Sequence, residues 1–353
     1  MAIREDVLRL LEEHRGENLS GEFIAERLFV SRVSVWKAVK ALRNEGHKIG
    51  AAPRRGYRLE AGSDVLTEEG IRARLSKGAP IRRIICLASV GSTNTYAKEL
   101  ALSGAEHGTL IVADSQTAGR GRRGRSFFSP AGTGLYMSLI LRPHVEMERF
   151  VLVTVAAAVA VCRTIESLTE ASPRIKWVND VFLEGQDGAE RKICGILTEA
   201  VSDVESGSVE TVVVGIGLNV KTKAFAPELR DVAGSLSSET VRRDCLAAGI
   251  AERLMKYQER LDAPELMRLY RDRSLLLGRE IRYLRDGVEH HGHALDIDVG
   301  GGLIVRDRSG ETAVLRSGEV YEVRPSQGPP KYEMRSVATE GGLGSPILGR
   351  DMS

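Results

Sequence analysis

The stretch GTLIVADSQTAGRGRRGRSFFSPAGTGLYMSLILRP, residues 108–143, places an arginine-rich loop between two apolar runs. Both runs have the length and the β-branched and large apolar residues of strands. Between them, GRGRRGR (119–125) sets four arginines among three glycines. Arginine binds phosphate in a bidentate manner and glycine allows close approach of the backbone, so this loop suits a lid over a phosphorylated ligand. Runs of this kind also bind RNA, and basic loops are often only solvated. If the loop is a lid, we expect residues 117–129 to be mobile until the ligand binds.

The overall composition limits the possible partners. The chain has 353 residues, a formal net charge of +2 and 42% hydrophobic residues. A chain of this length is expected to form two or three domains, because single cores rarely grow beyond about 250–300 residues. A nearly neutral chain has no general affinity for polyanions, so a nucleic acid would have to bind at a local basic patch.

Cysteine usage and apolar runs predict the compartment. The cysteines are Cys86, Cys162, Cys194 and Cys245, and they form no CxxC pair, which favours buried thiols in a reducing environment over disulfides or a zinc site. The apolar run at the N-terminus is interrupted by charges, and the run at 150–161 is too short to span a bilayer. We therefore expect a cytoplasmic protein with no membrane partner.

Residues 1–62 predict a winged helix-turn-helix domain. Ser20 and Ser31 can cap two short helices, and HKIGAAPRRGYRLE (47–60) has the pattern of two strands around a turn. The buried stripe of the last helix is predicted at Val35, Ala38, Val39 and Leu42. Phe23, Ile24 and Leu28 are expected to share one face of the helix before it. Phe29 stands where the turn often has glycine, which predicts a distorted turn or a contact with the next domain.

The charge of this first domain favours DNA as its partner. Residues 30–60 hold eight Lys or Arg and only two Glu. Short polar and cationic side chains in the N-terminal half of a recognition helix reach base edges and phosphates, and cations on the wing reach the backbone. The alternative is a domain of the same fold that binds a protein. The residues that we expect to contact DNA are Ser20, Ser31, Arg32, Ser34, Trp36, Lys37, Lys40, Arg54 and Arg55.

The remainder divides into a central block, a small β domain and a tail, giving an α+β protein. Residues 65–272 hold six strand-like runs and two helices without regular βα alternation, which predicts a mixed β-sheet with packed helices. The strand-like runs are 81–90, 108–116, 134–143, 173–183, 192–201 and 209–220, and the helices are 147–170 and 238–272. Short strands at 276–325 predict a small SH3-like β-barrel. Residues 326–353 are rich in Gly, Pro and Ser and are expected to be disordered.

Five motifs follow one another in the central block: GSTN (91–94), QTAGRGRRGR (116–125), KWVND (176–180), RKICGIL (191–197) and GIGLNV (215–220). Together they resemble the biotin protein ligase family across the whole block. With the winged helix, the chain resembles the bifunctional form, in which the ligase is also a biotin-responsive transcriptional repressor. The sequence departs from the family pattern at Phe127 and Phe128, where a Trp pair is common, and at Val178, where proline is usual.

The resemblance implies a reaction in two steps. Biotin and ATP, with Mg²⁺, give biotinyl-5′-AMP and pyrophosphate, and the biotinyl group then passes to a lysine of a biotin carboxyl carrier protein. Lys192 is the implied catalytic residue, with Arg122, because a cation near the carboxylate and the α-phosphate stabilises charge that grows in the transition state. The implied partners are this carrier protein, operator DNA and a second copy of the chain in a ligand-induced homodimer.

The resemblance also implies binding roles. For biotin, the implied residues are Ser92, Thr93, Asn94, Gln116, Arg120, Gly121, Arg122, Lys192, Gly215 and Gly217. For ATP and the adenylate, they are Arg122, Arg123, Arg125, Phe128, Lys176, Asn179, Asp180 and Asn219. Asp180 is also the implied Mg²⁺ ligand, since Mg²⁺ needs only one or two carboxylates beside phosphate. We expect Gly215 and Gly217 to let the ligand lie against their strand.

Two other functions remain open from the sequence. A lipoate or octanoate ligase or transferase shares this fold, and an octanoyltransferase would use a reactive cysteine such as Cys194. A regulator that senses biotin without ligase activity would need no ATP. His290, His291 and His293 suggest a metal, but with no partner ligands nearby we predict a hairpin turn instead.

Overall fold

The computed structural model describes residues 3–52, 55–143, 145–146, 149–201, 208–209, 211–285, 288–316 and 320–322. The predicted disordered tail at 326–353 and the predicted DNA contact Arg54 lie outside the described residues.

Three helices and a hairpin form the N-terminal domain. They are α1 (Ile3–Glu13), α2 (Gly21–Arg27), α3 (Arg32–Asn44), β1 (Ile49–Ala52) and β2 (Gly56–Leu59). Ser20 and Ser31 cap α2 and α3, because their hydroxyls accept hydrogen bonds from the backbone N–H of Phe23 at 3.0 Å and of Ser34 at 3.1 Å. The predicted stripe of α3, from Val35 to Leu42, is buried. The helix-turn-helix is confirmed, and the β1–β2 hairpin follows it.

Two aromatic residues of this domain differ from expectation. Phe23 was predicted to share a face with Ile24 and Leu28, but it is 43% exposed whereas Ile24 is buried. Phe29 has a φ of 55°, the left-handed region that favours glycine, so the turn has the usual glycine conformation with a bulkier residue in it. Its side chain is 95% exposed and makes no packing contact with the next domain.

A seven-stranded mixed sheet forms the centre of the chain, in the order β3-β4-β5-β11-β9-β8-β7. The elements of this region are α4 (Glu68–Arg72), β3 (Arg83–Leu87), α5 (Thr93–Leu102), β4 (Thr109–Ala113), β5 (Gly134–Leu141), β6 (Val145–Glu146), α6 (Val151–Leu168), β7 (Arg174–Lys176), β8 (Asp180–Glu184), β9 (Glu190–Ala200), β10 (Ser208–Val209), β11 (Val212–Asn219), α7 (Arg243–Gln258) and α8 (Pro264–Arg271). Strands β3 and β4 are parallel, and the other pairs of this sheet are antiparallel. The predicted mixed sheet with packed helices is confirmed.

Three predicted elements of this region need correction. The single strand predicted at 173–183 is two strands, β7 and β8, paired as a hairpin around residues 177–179. The single helix predicted at 238–272 is two helices, because Pro264 begins α8 as a new helix. Helix α5 was not predicted as an element, since its first turn falls in the small polar motif GSTN; Ser92 caps it.

Helix α6 is the apolar centre of the fold. By length and composition it could cross a membrane, but 72% of its apolar window is buried inside the protein. Its side chains join those of the sheet and of α7 in one hydrophobic core. Burial of this helix explains its continuous apolar run, since a helix that is apolar on all sides belongs in a core or a membrane.

The C-terminal strands form a five-stranded antiparallel sheet in the order β15-β14-β13-β12-β16. They are β12 (Glu280–Arg285), β13 (Val288–Ile297), β14 (Leu303–Asp307), β15 (Thr312–Leu315) and β16 (Val320–Glu322). Strands β15 and β16 are its edges, so closure into an SH3-like barrel is not confirmed.

The three nearby histidines lie within strand β13 and not in a hairpin turn, which corrects that prediction. His290 stacks on Tyr283 with ring centroids 5.4 Å apart. The described part of the chain contains no group of three His, Cys, Asp or Glu side chains placed to hold a metal.

Candidate functional site

One pocket brings together residues from all five sequence motifs. It is lined by Ser92, Thr93, Asn94, Gln116, Arg120, Gly121, Arg122, Phe127, Asn179, Lys192, Gly195, Ile196, Leu197, Gly215, Ile216 and Gly217. Every residue predicted to bind biotin is in this set. The motifs are far apart in the chain, and the central sheet with helix α5 brings them to one place.

The N-terminus of α5 and Gln116 form one wall through direct hydrogen bonds. Gln116 Oε1 accepts from Thr93 N at 2.8 Å and from Thr93 Oγ1 at 3.1 Å. Its amide Nε2 donates to Ser129 Oγ at 2.9 Å. Because both ends of this amide are held by the protein, the side chain is fixed before any ligand arrives.

Asn94 is held in the same way at the floor of the pocket. Its Nδ2 donates to Leu197 O at 3.0 Å and to Glu199 Oε2 at 2.9 Å. Its Oδ1 accepts from the hydroxyl of Ser138, a fully buried residue, at 2.7 Å. These bonds tie α5 to strands β9 and β5, so the orientation of Asn94 depends on the sheet.

Glycines on β9 and β11 make room for side chains of the pocket. A Cβ on Gly215 would lie 2.6 Å from Cγ of Asn94, and a Cβ on Gly217 would lie 2.6 Å from the ring of Phe127. Gly195, the neighbour of Gly217 across the strands, would place a Cβ 3.1 Å from Nζ of Lys192. Gly215 and Gly217 line the pocket, and the absence of a Cβ at each leaves room for Asn94 and Phe127. That a ligand lies against their strand stays a prediction.

The arginine loop is folded against the pocket. Gly121 N donates to Arg125 O at 2.7 Å, and a 3-10 turn follows at Arg122–Gly124. Arg122 Nη1 donates to Asn179 Oδ1 at 2.9 Å, and Arg120 pairs with Glu199 at 3.2 Å. Two arginines of one loop thus hold it to strand β9, through Glu199, and to the turn between β7 and β8, through Asn179.

Glu199, the carboxylate that pairs with Arg120, is contacted by three side chains. Besides Arg120 and Asn94, Lys98 Nζ lies 3.1 Å from its Oε1. Burial raises the pKa of the Glu199 carboxyl, but hydrogen bonds from Asn94 and Lys98 and the nearby cations outweigh burial and leave that pKa lowered. The carboxylate therefore stays charged at neutral pH and can hold the loop arginine.

Lys192 lies at the polar end of the pocket. Its Nζ is 2.7 Å from Asp180 Oδ1, and Asn179 Nδ2 donates to the same oxygen at 3.1 Å. Arg122 contacts Asn179, and Lys192 contacts Asp180. The two predicted catalytic cations are therefore linked by the hydrogen-bonded pair Asn179 and Asp180. This end of the pocket holds fixed positive charge where an anion could bind.

The other predicted nucleotide residues do not line the pocket; they are Arg123, Arg125, Phe128, Lys176, Asp180 and Asn219. Phe128 packs near Phe225 with centroids 6.2 Å apart, and the aromatic wall is Phe127 instead. Lys176 Nζ lies 5.6 Å from the centre of the Phe182 ring. Asn219 donates to Gly234 O at 3.0 Å, while its Oδ1 is buried without a hydrogen-bond partner in the described structure.

The N-terminal domain presents the exposed side of α3 as a second candidate site. Its exposed residues are Arg32, Val33, Trp36, Lys37 and Lys40, so the predicted cations face solvent. Lys40 Nζ lies 5.4 Å from the centre of the Trp36 ring. Of the wing, Arg55 is exposed beside β2. Ser20, Ser31 and Ser34 are engaged at helix starts, where the hydroxyls of Ser31 and Ser34 are 2.9 Å apart.

Comparison with known proteins identifies a family for each of the two domains that carry these candidate sites. The biotin/lipoate A/B protein ligase family matches residues 86–219, and an HTH domain family matches residues 3–58. The chain is 35% identical over 316 residues to the bifunctional ligase/repressor BirA of Bacillus subtilis (strain 168), covering 87% of this chain and 95% of that protein. The chain belongs to the biotin protein ligase family.

Other members of the biotin protein ligase family support the central domain in particular. The biotin–[acetyl-CoA-carboxylase] ligase of Mycobacterium tuberculosis is 33% identical over 272 residues, which cover 73% of this chain and 96% of that protein. The biotin protein ligase from Aquifex aeolicus in complex with biotin and ATP superposes with a TM-score of 0.56 at 30% identity, covering 69% of this chain and 99% of that chain.

The site residues not predicted from the sequence are of two kinds. Ser138 and Glu199 hold Asn94 through hydrogen bonds without lining the pocket. The other unpredicted residues line the pocket: Phe127, Gly195, Ile196, Leu197 and Ile216.

Alternation along β9 puts Gly195, Leu197 and Glu199 on one face. The sequence pattern could therefore have predicted that Glu199 lies on the same face as Gly195. Lys192 is three residues before Gly195. Strict alternation would therefore place Lys192 on the face of β9 opposite to Gly195. A bulge between β8 and β9 shifts the register there, and Lys192 turns towards the pocket.

Proposed function

We propose that this protein is an ATP-dependent biotin protein ligase that also acts as a biotin-responsive repressor. The observation that carries the ligase activity is the single pocket in which all five motifs meet, with Lys192 and Arg122 on its wall. The helix-turn-helix with its exposed cations supports the DNA-binding role. Biotin and ATP are the substrates, and the acceptor is a lysine of a biotin carboxyl carrier protein.

In the first step the biotin carboxylate attacks the α-phosphorus of ATP. A new bond forms between a carboxylate oxygen and phosphorus, and the bond from the α-phosphorus to the bridging oxygen breaks, so pyrophosphate leaves. Lys192 and Arg122 stabilise the negative charge that concentrates between the two reacting groups. Asp180 keeps the Lys192 ammonium in place through their 2.7 Å contact. Asn94 and Gln116, already fixed by the protein, hold the biotin ring.

In the second step the amine of the acceptor lysine attacks the carbonyl carbon of the adenylate. An amide forms, AMP leaves, and the amine loses a proton. The two steps need no nucleophile from the pocket. The arginine loop keeps water from the adenylate, because its Arg120 and Arg122 bind to Glu199 and Asn179 across the opening.

The magnesium ion would be held by Asp180 together with ATP. A single carboxylate with phosphate oxygens satisfies Mg²⁺, and Asp180 is the carboxylate beside Lys192. Bound there, the ion would neutralise phosphate charge. The nucleotide would also be contacted by five residues that lie outside the pocket lining, namely Arg123, Arg125, Phe128, Lys176 and Asn219.

The remaining parts of the proposal concern the whole molecule. We assign 1–62 to a DNA-binding domain, 65–272 to the ligase domain and 276–325 to a small SH3-like barrel. Operator DNA would be bound by a homodimer that forms when the adenylate is present. The protein would act in the cytoplasm, where its acceptor is made.

The experiment that tests the ligase activity is acyl transfer to a biotin carboxyl carrier domain. The full chain is mixed with ATP, Mg²⁺ and either biotin, lipoate or octanoate, and the acceptor mass is measured. We expect one biotinyl group on the acceptor lysine and no lipoyl or octanoyl group. Modification by octanoate alone would favour the lipoate/octanoate class, and biotin binding without ATP consumption would favour a regulator without ligase activity.

A further inference from the structure

The exposed side of α3 combines apolar and cationic side chains. Val33 is 61% exposed and Trp36 is 51% exposed, and they lie between the exposed cations Arg32, Lys37 and Lys40. Residues three apart are neighbours on a helix surface, so the valine and the indole form one apolar spot. Burial of these two apolar side chains against a partner would favour binding through the hydrophobic effect.

The side chains that usually read other bases are absent or engaged on this face. Adenine is read by Asn or Gln and cytosine by Asp or Glu, and the described residues from Arg32 to Lys40 include none of these. The hydroxyls of Ser31 and Ser34 are bonded to each other and to the helix start. Arginine and lysine remain for guanine or phosphate, and an apolar pair remains for the methyl group of thymine.

We propose that Val33 and Trp36 contact the C5 methyl group of thymine in the major groove and so fix thymine at one position of each half-site. This inference rests on the DNA-binding part of the proposed function. The surrounding cations favour a polyanion over an apolar protein surface, since Arg32 and Lys37 flank the apolar spot. Lys40, 5.4 Å from the Trp36 ring centre, holds the indole against the helix.

The test uses deoxyuridine, which differs from thymidine at this edge by the methyl group alone. Duplexes selected by the full chain from a random library, with biotin and ATP present, are resynthesised with uracil at each thymine in turn. At the predicted position we expect uracil to weaken binding about fourfold in each half-site. This factor corresponds to the loss of one buried carbon from the interface. Uracil elsewhere in the half-site should leave binding unchanged.

Surface variants then assign the effect to the named side chains. Val33→Thr keeps the shape but replaces a methyl by a hydroxyl, and Trp36→Ala removes the indole; each should bind the thymine and uracil duplexes with more nearly equal affinity. Phe29→Ala is the matched control, because Phe29 is also exposed but lies outside the α3 face. It should keep the full preference for thymine.

The outcomes separate this inference from the proposed function. Selected duplexes that bind equally with uracil and thymine would overturn the inference and leave the repressor role standing. Failure to select any duplex would overturn the DNA-binding role and the inference with it. A thymine preference that Val33→Thr and Trp36→Ala both retain would also overturn the assignment.

Discussion

Replacing Gly215 by alanine is expected to disable the ligand pocket by moving Asn94. The new Cβ would lie 2.6 Å from Cγ of Asn94, closer than real Cβ contacts allow. Strand β11 is paired on both sides, with β5 and β9, so the backbone cannot retreat. Asn94 must therefore rotate away from its position.

The expected loss of stability follows from the hydrogen bonds that Asn94 would lose. Two are to neutral partners, Leu197 O and Ser138 Oγ, and one is to the Glu199 carboxylate. At about 1 kcal/mol for each neutral bond and about 1.5–3 kcal/mol for the charged one, we expect a loss of about 3.5–5 kcal/mol in unfolding free energy. We also expect biotin affinity to fall at least about tenfold, since one substrate hydrogen bond of about 1.4 kcal/mol disappears.

The assay combines urea unfolding with calorimetric titration of biotin. Gly91→Ala is the matched control, because a Cβ there would meet no atom within 4 Å although it lies next to Ser92. The control should bind biotin like the parent protein. A Gly215→Ala protein with unchanged stability and unchanged biotin affinity would refute the account of Asn94.

Three further substitutions test other parts of the structure. Phe29→Gly should raise the unfolding free energy by about 0.5–1 kcal/mol, because the left-handed φ of 55° is strained for Phe and the lost side chain is exposed; no gain in denaturant unfolding would contradict this. Burial lowers the pKa of His47 from 6.5, so the unfolded state binds the proton more tightly and stability should fall as the pH drops below 6.5 through the lower folded pKa. His47→Leu should flatten that part of the thermal stability profile, and an identical profile would exclude His47 as the cause. Burial raises the pKa of the Cys194 thiol well above its usual range, so Cys194→Ala should still biotinylate the carrier domain; loss of transfer in a folded variant would favour an acyl-cysteine mechanism.

Sequence patterns were sufficient where local chemistry determines the structure. Caps at Ser20 and Ser31 and the buried stripe from Val35 to Leu42 follow from rules that act within one helix. The meeting of the five motifs in one pocket followed from the family resemblance, and the roles of the individual residues remain predictions. The α3 stripe and the motif order therefore predicted the helix-turn-helix and the ligase fold, which are confirmed, whereas the C-terminal SH3-like barrel is not.

Details that depend on distant partners could not be predicted. The bulge that turns Lys192 into the pocket depends on pairing with β8, and nothing in RKICGIL marks it. Phe127 and Phe128 are adjacent, so only the close fit of Phe127 over Gly217 decides which ring lines the pocket. The partner of Arg120 is Glu199, seventy-nine residues later in the chain, which no local pattern reveals.

In the proposed ligase, Lys192 and its neighbours have the role of forming biotinyl-5′-AMP. The most direct measurement is biotin-dependent exchange of labelled pyrophosphate into ATP by the full chain, beside Lys192→Ala and with octanoate as a competing substrate. This role of Lys192 predicts exchange that requires biotin, is insensitive to octanoate and is lost in Lys192→Ala while biotin binding persists. Exchange that is absent in the parent protein, or that survives in Lys192→Ala, would contradict it.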